Sequence, residues 1–354
     1  MTVQPPSIPR REPESDVLDG ALARLASTSP DHAGGLSNHG PMVCEALLRL
    51  GRPDAVAPWL DAYMPSLEAA PGKGSPIALD EWAGALGQRR RYPDWVARFE
   101  RELAAGPWAD VVGGWAPRLV AGSMATAAHG LIRTAHATRA IEEAETPERR
   151  HELAAGLAYW ASTCRPFGAT PAPRGTGSAS QALLGVPTLP LEERDEGLIF
   201  RGAAKASRLE GFTAAVDALR PPESVDRALS DLTRAMATWY LANRGHDPIA
   251  FAHGVTAPAA LRLLLPFLPA GAASSAFAYV WQACMAIRSA FAVGCPLEGS
   301  VRELPSGEEL VAAAVEIGGA HAIKLTEACL REQAIRPDAA YLLAAADAGR
   351  RLEV

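Results

Sequence analysis

GSMATAAHGLIRTAHATRAIEEAE, residues 122–145, is the longest helical candidate in the first half of the chain. It opens on small and apolar residues and closes on charges. It holds no run of β-branched residues alternating with polar ones. Alanine and leucine, the strongest apolar helix formers, dominate this stretch and the rest of the sequence. The reading predicts an all-α fold.

Outward from this segment the pattern repeats. Helices are expected over Leu18–Thr28, Pro41–Leu50, Asp80–Arg90, Asp94–Ala105 and Arg150–Thr163. Further ones follow over Gly211–Ala218, Ser224–Asn243, Ala257–Phe267, Ala273–Ala292, Glu308–Arg331 and Asp338–Arg351. Gly51 and Pro53 are read as the end of one helix, and Tyr92-Pro93 as a break between two. Residues 168–190, rich in glycine, proline, serine and threonine, read as a long loop. Similar histidine segments lie on both sides of it. One large multi-helix domain over residues 16–354, behind a polar, proline-rich disordered tail at 1–15, is therefore preferred to two domains.

Composition narrows the function. The 354 residues are 48% hydrophobic and 21% charged, with a formal net charge of −6. No basic excess exists to displace counterions from phosphates, which argues against nucleic acid as a partner. The five cysteines are scattered without a Cys-x-x-Cys pair, as buried thiols of a reducing compartment would be. No signal-peptide core and no uninterrupted bilayer-length apolar run is seen, so a cytoplasmic protein with no membrane partner is expected.

Four segments carry the chemistry: Asn38-His39-Gly40-Pro41, Ala128-His129-Gly130-Leu131, Ala252-His253-Gly254-Val255 and Ala320-His321-Ala322-Ile323. Each sets a histidine between small residues in an apolar stretch, where an imidazole is buried. Imidazole is the commonest protein metal ligand, and several converging rings share one ion more easily than each finds its own partner. A buried metal site is the expectation; the bland alternative is four satisfied core histidines. Ligands of one ion should bring their nitrogens within about 3–4 Å of each other, given bonds near 2 Å. His136 lies seven residues after His129, some 10 Å along a straight helix, so it is either a ligand or a group behind one. Lys324 shares a helical face with His321. It could be a deprotonated amine, could carry a carbamate, or could turn toward an acid such as Glu327. His32 lies in a turn and has little to recommend it. No Gly-x-Gly-x-x-Gly follows a strand, and Gly175-Thr176-Gly177-Ser178 lacks the lysine of a phosphate loop.

At these segments the chain resembles the questin oxidase-like family. The resemblance rests on Ser37–Met42 with Glu45-Ala46-Leu47, Trp115–Leu119, His129–His136, Leu157–Trp160, His253–Thr256 and His321–Leu325, spanning Leu36 to about Leu330. It implies a helical, non-haem Fe(II) oxygenase that opens a ring of an aromatic or quinone-like polyketide in a Baeyer–Villiger or dioxygenase manner. Dioxygen would be co-substrate and NADPH or another reductant a candidate electron source. The resemblance carries the metal ligands onto His39, His129, His253 and His321, with Lys324, carbamylated or not, as a further one and His136 as a doubtful one. The family's central helix has its second histidine four residues after the first; here that position is Arg133. Arg133 is a candidate for binding an anionic substrate oxygen, or pairs with Glu142 or Glu143. Trp115, Tyr159, Trp160, Trp239, Tyr240 and Trp281 are candidates for stacking on a flat substrate or for ordinary core.

Two other readings compete. A metal-dependent hydrolase on a helical scaffold would want carboxylate ligands. Asp31, Glu45, Asp247 and Glu327 are the acids closest in sequence, and none is paired with the four histidines. A non-catalytic helical protein that binds an apolar ligand or a partner is the third.

Overall fold

The computed structural model describes residues 14–194, 197–296 and 304–352. Residues 1–13, most of the expected tail, lie outside them. Among the described residues the fold is all-α apart from one small hairpin.

The first half runs α1 (Glu14–Leu25), the antiparallel hairpin β1 (Asp31–His32) and β2 (Leu36–Ser37), α2 (Gly40–Arg49) and α3 (Pro53–Tyr63). There follow α4 (Trp82–Ala85), α5 (Tyr92–Ala105), α6 (Trp108–Leu119), α7 (His129–Glu143) and α8 (Pro147–Thr163). In the second half come α9 (Ala179–Gly185), α10 (Ile199–Ala206), α11 (Phe212–Asp217), α12 (Val225–Asn243) and α13 (Pro248–Leu264). The chain closes with α14 (Ala272–Phe291), α15 (Gly307–Ile317), α16 (Ala320–Ile335) and α17 (Ala339–Arg351). In the hairpin Asp31 faces Ser37 and His32 faces Leu36.

Proline explains several departures from the sequence reading. Helix α2 ends before Gly51, as expected, and Pro53 and Pro93 also stand in the first turns of α3 and α5, because a first-turn proline has no N–H to lose and its fixed φ suits the helix. The expected helix over Asp80–Arg90 is only the single turn of α4, followed by a 3-10 turn at Arg89–Arg91. The segment expected as one helix over Glu308–Arg331 is two, α15 and α16, parted at Gly318, whose φ of 68° suits the left-handed close of α15. The loop over 168–190 contains α9, started by a Ser178–Gln181 capping box. α13 begins nine residues before the expected Ala257 and keeps Pro258 inside it. With the 3-10 turn after it, it spans Pro248–Phe267, long and apolar enough by composition to cross a bilayer, yet it lies mostly buried inside the fold.

The largest departure is at the quoted stretch itself. Helix α7 starts at His129, not Gly122. Before it, Thr126, Ala127 and Ala128 take φ of 51°, 53° and 65°, three successive non-glycine residues in the left-handed region. Each costs roughly 1–2 kcal/mol against the right-handed form, which no local propensity would forecast.

Four helices position the site. α2 packs on α7, α7 on α13, α13 on α16, and α16 back on α2, closing a ring of four. α8 lies outside α7, and α12 outside α13. Facing helices of such a bundle project side chains into a common interior, where metal sites are built.

Candidate metal centre

Each helix of the ring contributes one of the four histidines. His39 is the residue before α2, His129 the first of α7 and His321 the second of α16; His253 lies one and a half turns into α13. The glycines after three of them allow the close approach. A β-carbon on Gly40 would lie 2.4 Å from Leu25, one on Gly130 2.7 Å from the Trp160 backbone, and one on Gly254 2.3 Å from Met236.

The rings meet. His39 Nε2 lies 2.8 Å from His129 Nε2, and His253 Nε2 lies 3.2 Å from the same atom. His39, His129 and His321 can each offer a nitrogen within 4.8 Å of the others. The His321 ring stands edge-on to His39 at 4.7 Å and to His253 at 5.1 Å between centroids. Its Nε2 is buried with no hydrogen-bond partner.

Hydrogen bonding at the far side of two rings decides what their near sides are. His129 Nδ1 is 2.5 Å from the Thr126 carbonyl, and His253 Nδ1 is 2.7 Å from the Ile249 carbonyl. A carbonyl only accepts, so both Nδ1 atoms carry the proton and both Nε2 atoms are bare lone pairs. Two lone pairs at 3.2 Å repel unless a cation or an N–H donor such as His39 lies between or beside them. No family model and no curated protein matches the chain.

The separations suit an ion. Two nitrogens each about 2.1 Å from a metal, with bonds at a right angle, lie about 3 Å apart. The Thr126 and Ile249 carbonyls then fix tautomer and ring orientation, as acceptors behind metal-bound histidines do. Without an ion, a neutral His39 can donate its Nε2–H to His129 Nε2 at 2.8 Å, which leaves His253 Nε2 unmatched; an added proton, as a second competing cation, is opposed by the surroundings. Burial holds His39, His129 and His321 well below the ordinary histidine range and takes His253 down to about 3, with the neighbouring Lys324 charge and the other rings adding to it. The positive N-terminal ends of α2, α7 and α16 act in the same direction.

Lys324, one turn after His321, is buried at 3% exposure. Desolvation lowers its ammonium to about 7. Glu327 is not its partner: that carboxylate takes Arg139 at 2.5 Å and Arg331 at 3.0 Å. Among the described residues no carboxylate pairs with Lys324.

Two candidates fall elsewhere. His136 Nδ1 meets Glu45 Oε2 at 2.7 Å, and Arg139 also clasps Glu45, so His136 belongs to a buried charge network and not to the meeting rings. Arg133 forms a two-pronged pair with Glu152 of α8 at 2.6 and 2.7 Å, in place of Glu142 or Glu143. Burial opposes its charge, but Glu152 more than restores it. With both prongs committed, Arg133 is a tie between α7 and α8. The expected anion-binding role is corrected to that.

The aromatic candidates are core. Trp115 packs edge-on against Trp82, Trp95 and Phe99, and Tyr159, Trp160, Trp239, Tyr240 and Trp281 are all buried. Half-buried rings nearer the site escaped the sequence reading. Trp59 stacks on Tyr63, whose hydroxyl accepts the His39 backbone N–H at 2.9 Å and lies 3.4 Å from His32 Nε2. His39 and His321 are themselves only partly buried, so this is the most exposed side of the histidine group.

A second signal was present but unread. Arg49, Arg139 and Arg331 each follow a site histidine by ten residues. They join through Glu45 and Glu327, so α2, α7 and α16 run side by side in one direction. The arginines line an open cleft of about 830 Å³ together with Arg52 and the start of α15. Three turns of helix, about 15 Å, separate that cleft from the histidines.

Proposed function

We propose that the four-histidine centre binds a non-haem metal ion, iron in the leading reading, and that the chain is an oxygenase acting on an aromatic or quinone-like polyketide. The observation that supports the metal is the pair of bare Nε2 atoms on His129 and His253, with His39 beside them and the unpartnered His321 Nε2 nearby. His39, His129, His253 and His321 would hold the ion, and Lys324, as amine or carbamate, lines it.

An iron with open positions would supply the means for dioxygen to react with an organic substrate. The chain's own groups do the rest. The Thr126 and Ile249 carbonyls hold the ligand tautomers. The apolar interior excludes water, and the His39–His321 side admits the substrate past Tyr63. The hydrolase reading is less favoured because no carboxylate joins the histidine group among the described residues. The oxygenase class itself comes from the family resemblance, by analogy.

The test has two stages. Metal analysis of freshly purified protein, and of protein reloaded with Fe(II), should give about one ion per chain. Oxygen uptake is then followed with hydroxylated anthraquinones, with and without NADPH. Protein that takes up no divalent ion defeats the metal reading. Loaded protein that hydrolyses an ester substrate without consuming oxygen defeats the oxygenase.

A further inference from the structure

The arginine cleft, about 830 Å³, plays no part in the metal reading, and its lining groups are of two kinds. Arg49, Arg52, Arg139 and Arg331 bring charge. Leu50, Leu330, Val311 and Ala312 bring apolar surface from the end of α2, from α16 and from α15.

The charges are layered. Glu45 and Glu327, which link Arg49, Arg139 and Arg331, are 3% and 4% exposed, whereas Arg49 and Arg52 are 30% and 33% exposed. The carboxylates therefore lie beneath, and guanidinium groups form the face that solvent meets. Of five N–H groups each, Arg49 commits two, to Glu45 and Glu143, and Arg52 two, to Asp54. A buried carboxylate behind Arg49 also holds its fork in place, which lowers the cost of ordering it around a ligand.

A purely structural network would account for the ties among α2, α7 and α16. It gives no part to Arg52, whose exposed pair with Asp54, two residues on, is worth little to the fold, and which still lines the cleft. It also needs no opening, and this one has the volume of a site for a small organic molecule.

We propose that the cleft binds a small amphiphilic anion. Its phosphate or carboxylate head takes the N–H donors of Arg49 and Arg52, and its alkyl or aryl body lies on Leu50, Leu330, Val311 and Ala312. Arginine's planar fork meets either head with paired N–H···O bonds, and the apolar residues gain by covering the body. Arg139 and Arg331 stay bonded to their glutamates and add positive potential. Glu308, exposed at the α15 edge, repels the head and so turns it toward the arginines. The site is independent of what the histidines hold, since three turns of helix separate the two.

Isothermal titration calorimetry on the full chain, as purified, tests this with octyl phosphate and octanoate. Octanol and inorganic phosphate are the controls, each carrying one feature of the ligand without the other. The expected result is about one octyl phosphate or octanoate per chain, weakened by added salt, with each control at least about 10-fold weaker. The tighter of the two amphiphiles names the head group. Arg52→Gln removes a donor without touching the buried glutamates and should weaken binding at least about 10-fold, the loss expected for a hydrogen bond to a charged group. Ala312→Glu, at an exposed helical position, should do the same by repulsion, while Ala312→Gln, of equal size, should bind like the wild type. Circular dichroism checks that the three variants fold. Octanol or inorganic phosphate binding as tightly as octyl phosphate overturns the proposal. So does the absence of binding by both amphiphiles, or binding that neither Arg52→Gln nor Ala312→Glu weakens.

Discussion

His129 and His253 point unprotonated nitrogens at each other across 3.2 Å, and each has its other nitrogen tied to a carbonyl of its own helix region. Such a pair repels unless a cation, or an Nε2–H donated by His39 at 2.8 Å from His129, lies beside it. Replacing either ring by alanine should lower metal affinity by more than about 100-fold, the upper range for losing a group merely behind a ligand. Equilibrium dialysis against a chelator measures it. The metal-free protein should gain stability from either substitution, since a repulsive pair is removed; chemical denaturation gives the sign.

Acid should weaken the fold. The unfolded chain protonates its histidines near 6.5, whereas burial keeps the folded rings neutral far lower, His253 to about 3. Between those values the unfolded state binds more protons, so stability falls as pH falls. In metal-free protein, denaturant midpoints should drop steadily from about pH 6.5 toward 3, by up to about 1.4 kcal/mol per unit for each ring still neutral in the fold. A flat profile over that window contradicts the burial of these groups.

Lys324 gives a second window with the same slope and a different range. The unfolded lysine keeps its proton up to its ordinary value of 10.5, and the folded one gives it up at about 7. Metal-free protein should therefore become more stable as pH rises from about 7 to 10. Lys324→Met should flatten this rise and be the more stable protein at pH 6, by an amount on the order of 2 kcal/mol. Urea titrations of both proteins at pH 6 and 9.5 test it.

Arg133 and Glu152 should behave as a structural pair. Arg133→Leu leaves a buried carboxylate without its partner and should cost about 3–5 kcal/mol. The double change Arg133→Leu, Glu152→Leu should recover most of that, with metal content unaltered. Loss of metal in the double variant would put Arg133 back at the centre.

The left-handed turn before α7 lends itself to a backbone test. Ala127→Gly or Ala128→Gly should raise stability by about 1 kcal/mol, because glycine takes positive φ without the alanine penalty. A loss of stability would mean the turn is not left-handed in solution.

Much of this centre could be read from residues alone, for a definite reason. Burial of a histidine shows in its neighbours, and Gly40, Gly130, Gly254 and Ala322 marked four rings that the fold brings together. What the sequence concealed was of two kinds. Backbone groups have no side-chain signature, so the Thr126 and Ile249 carbonyls and the three residues of positive φ were invisible. Pairing across helices is tertiary: nothing near Arg133 names Glu152, and nothing near His136 names Glu45. The same limit hid α3: Gly51 and Pro53 were read as the end of α2, which they follow, but Pro53 also opens a new helix, and first-turn and terminating prolines differ only in whether the residues after them turn helical. The ten-residue step from histidine to arginine in three helices was legible all along. It needed the parallel course of α2, α7 and α16 to acquire a meaning.

The ring of helices closes by the packing of α16 on α2, two elements far apart along the chain. Until they meet, His39 and His321 stand in unconnected segments, so the four imidazoles gather only late in folding, as contacts of long sequence separation do.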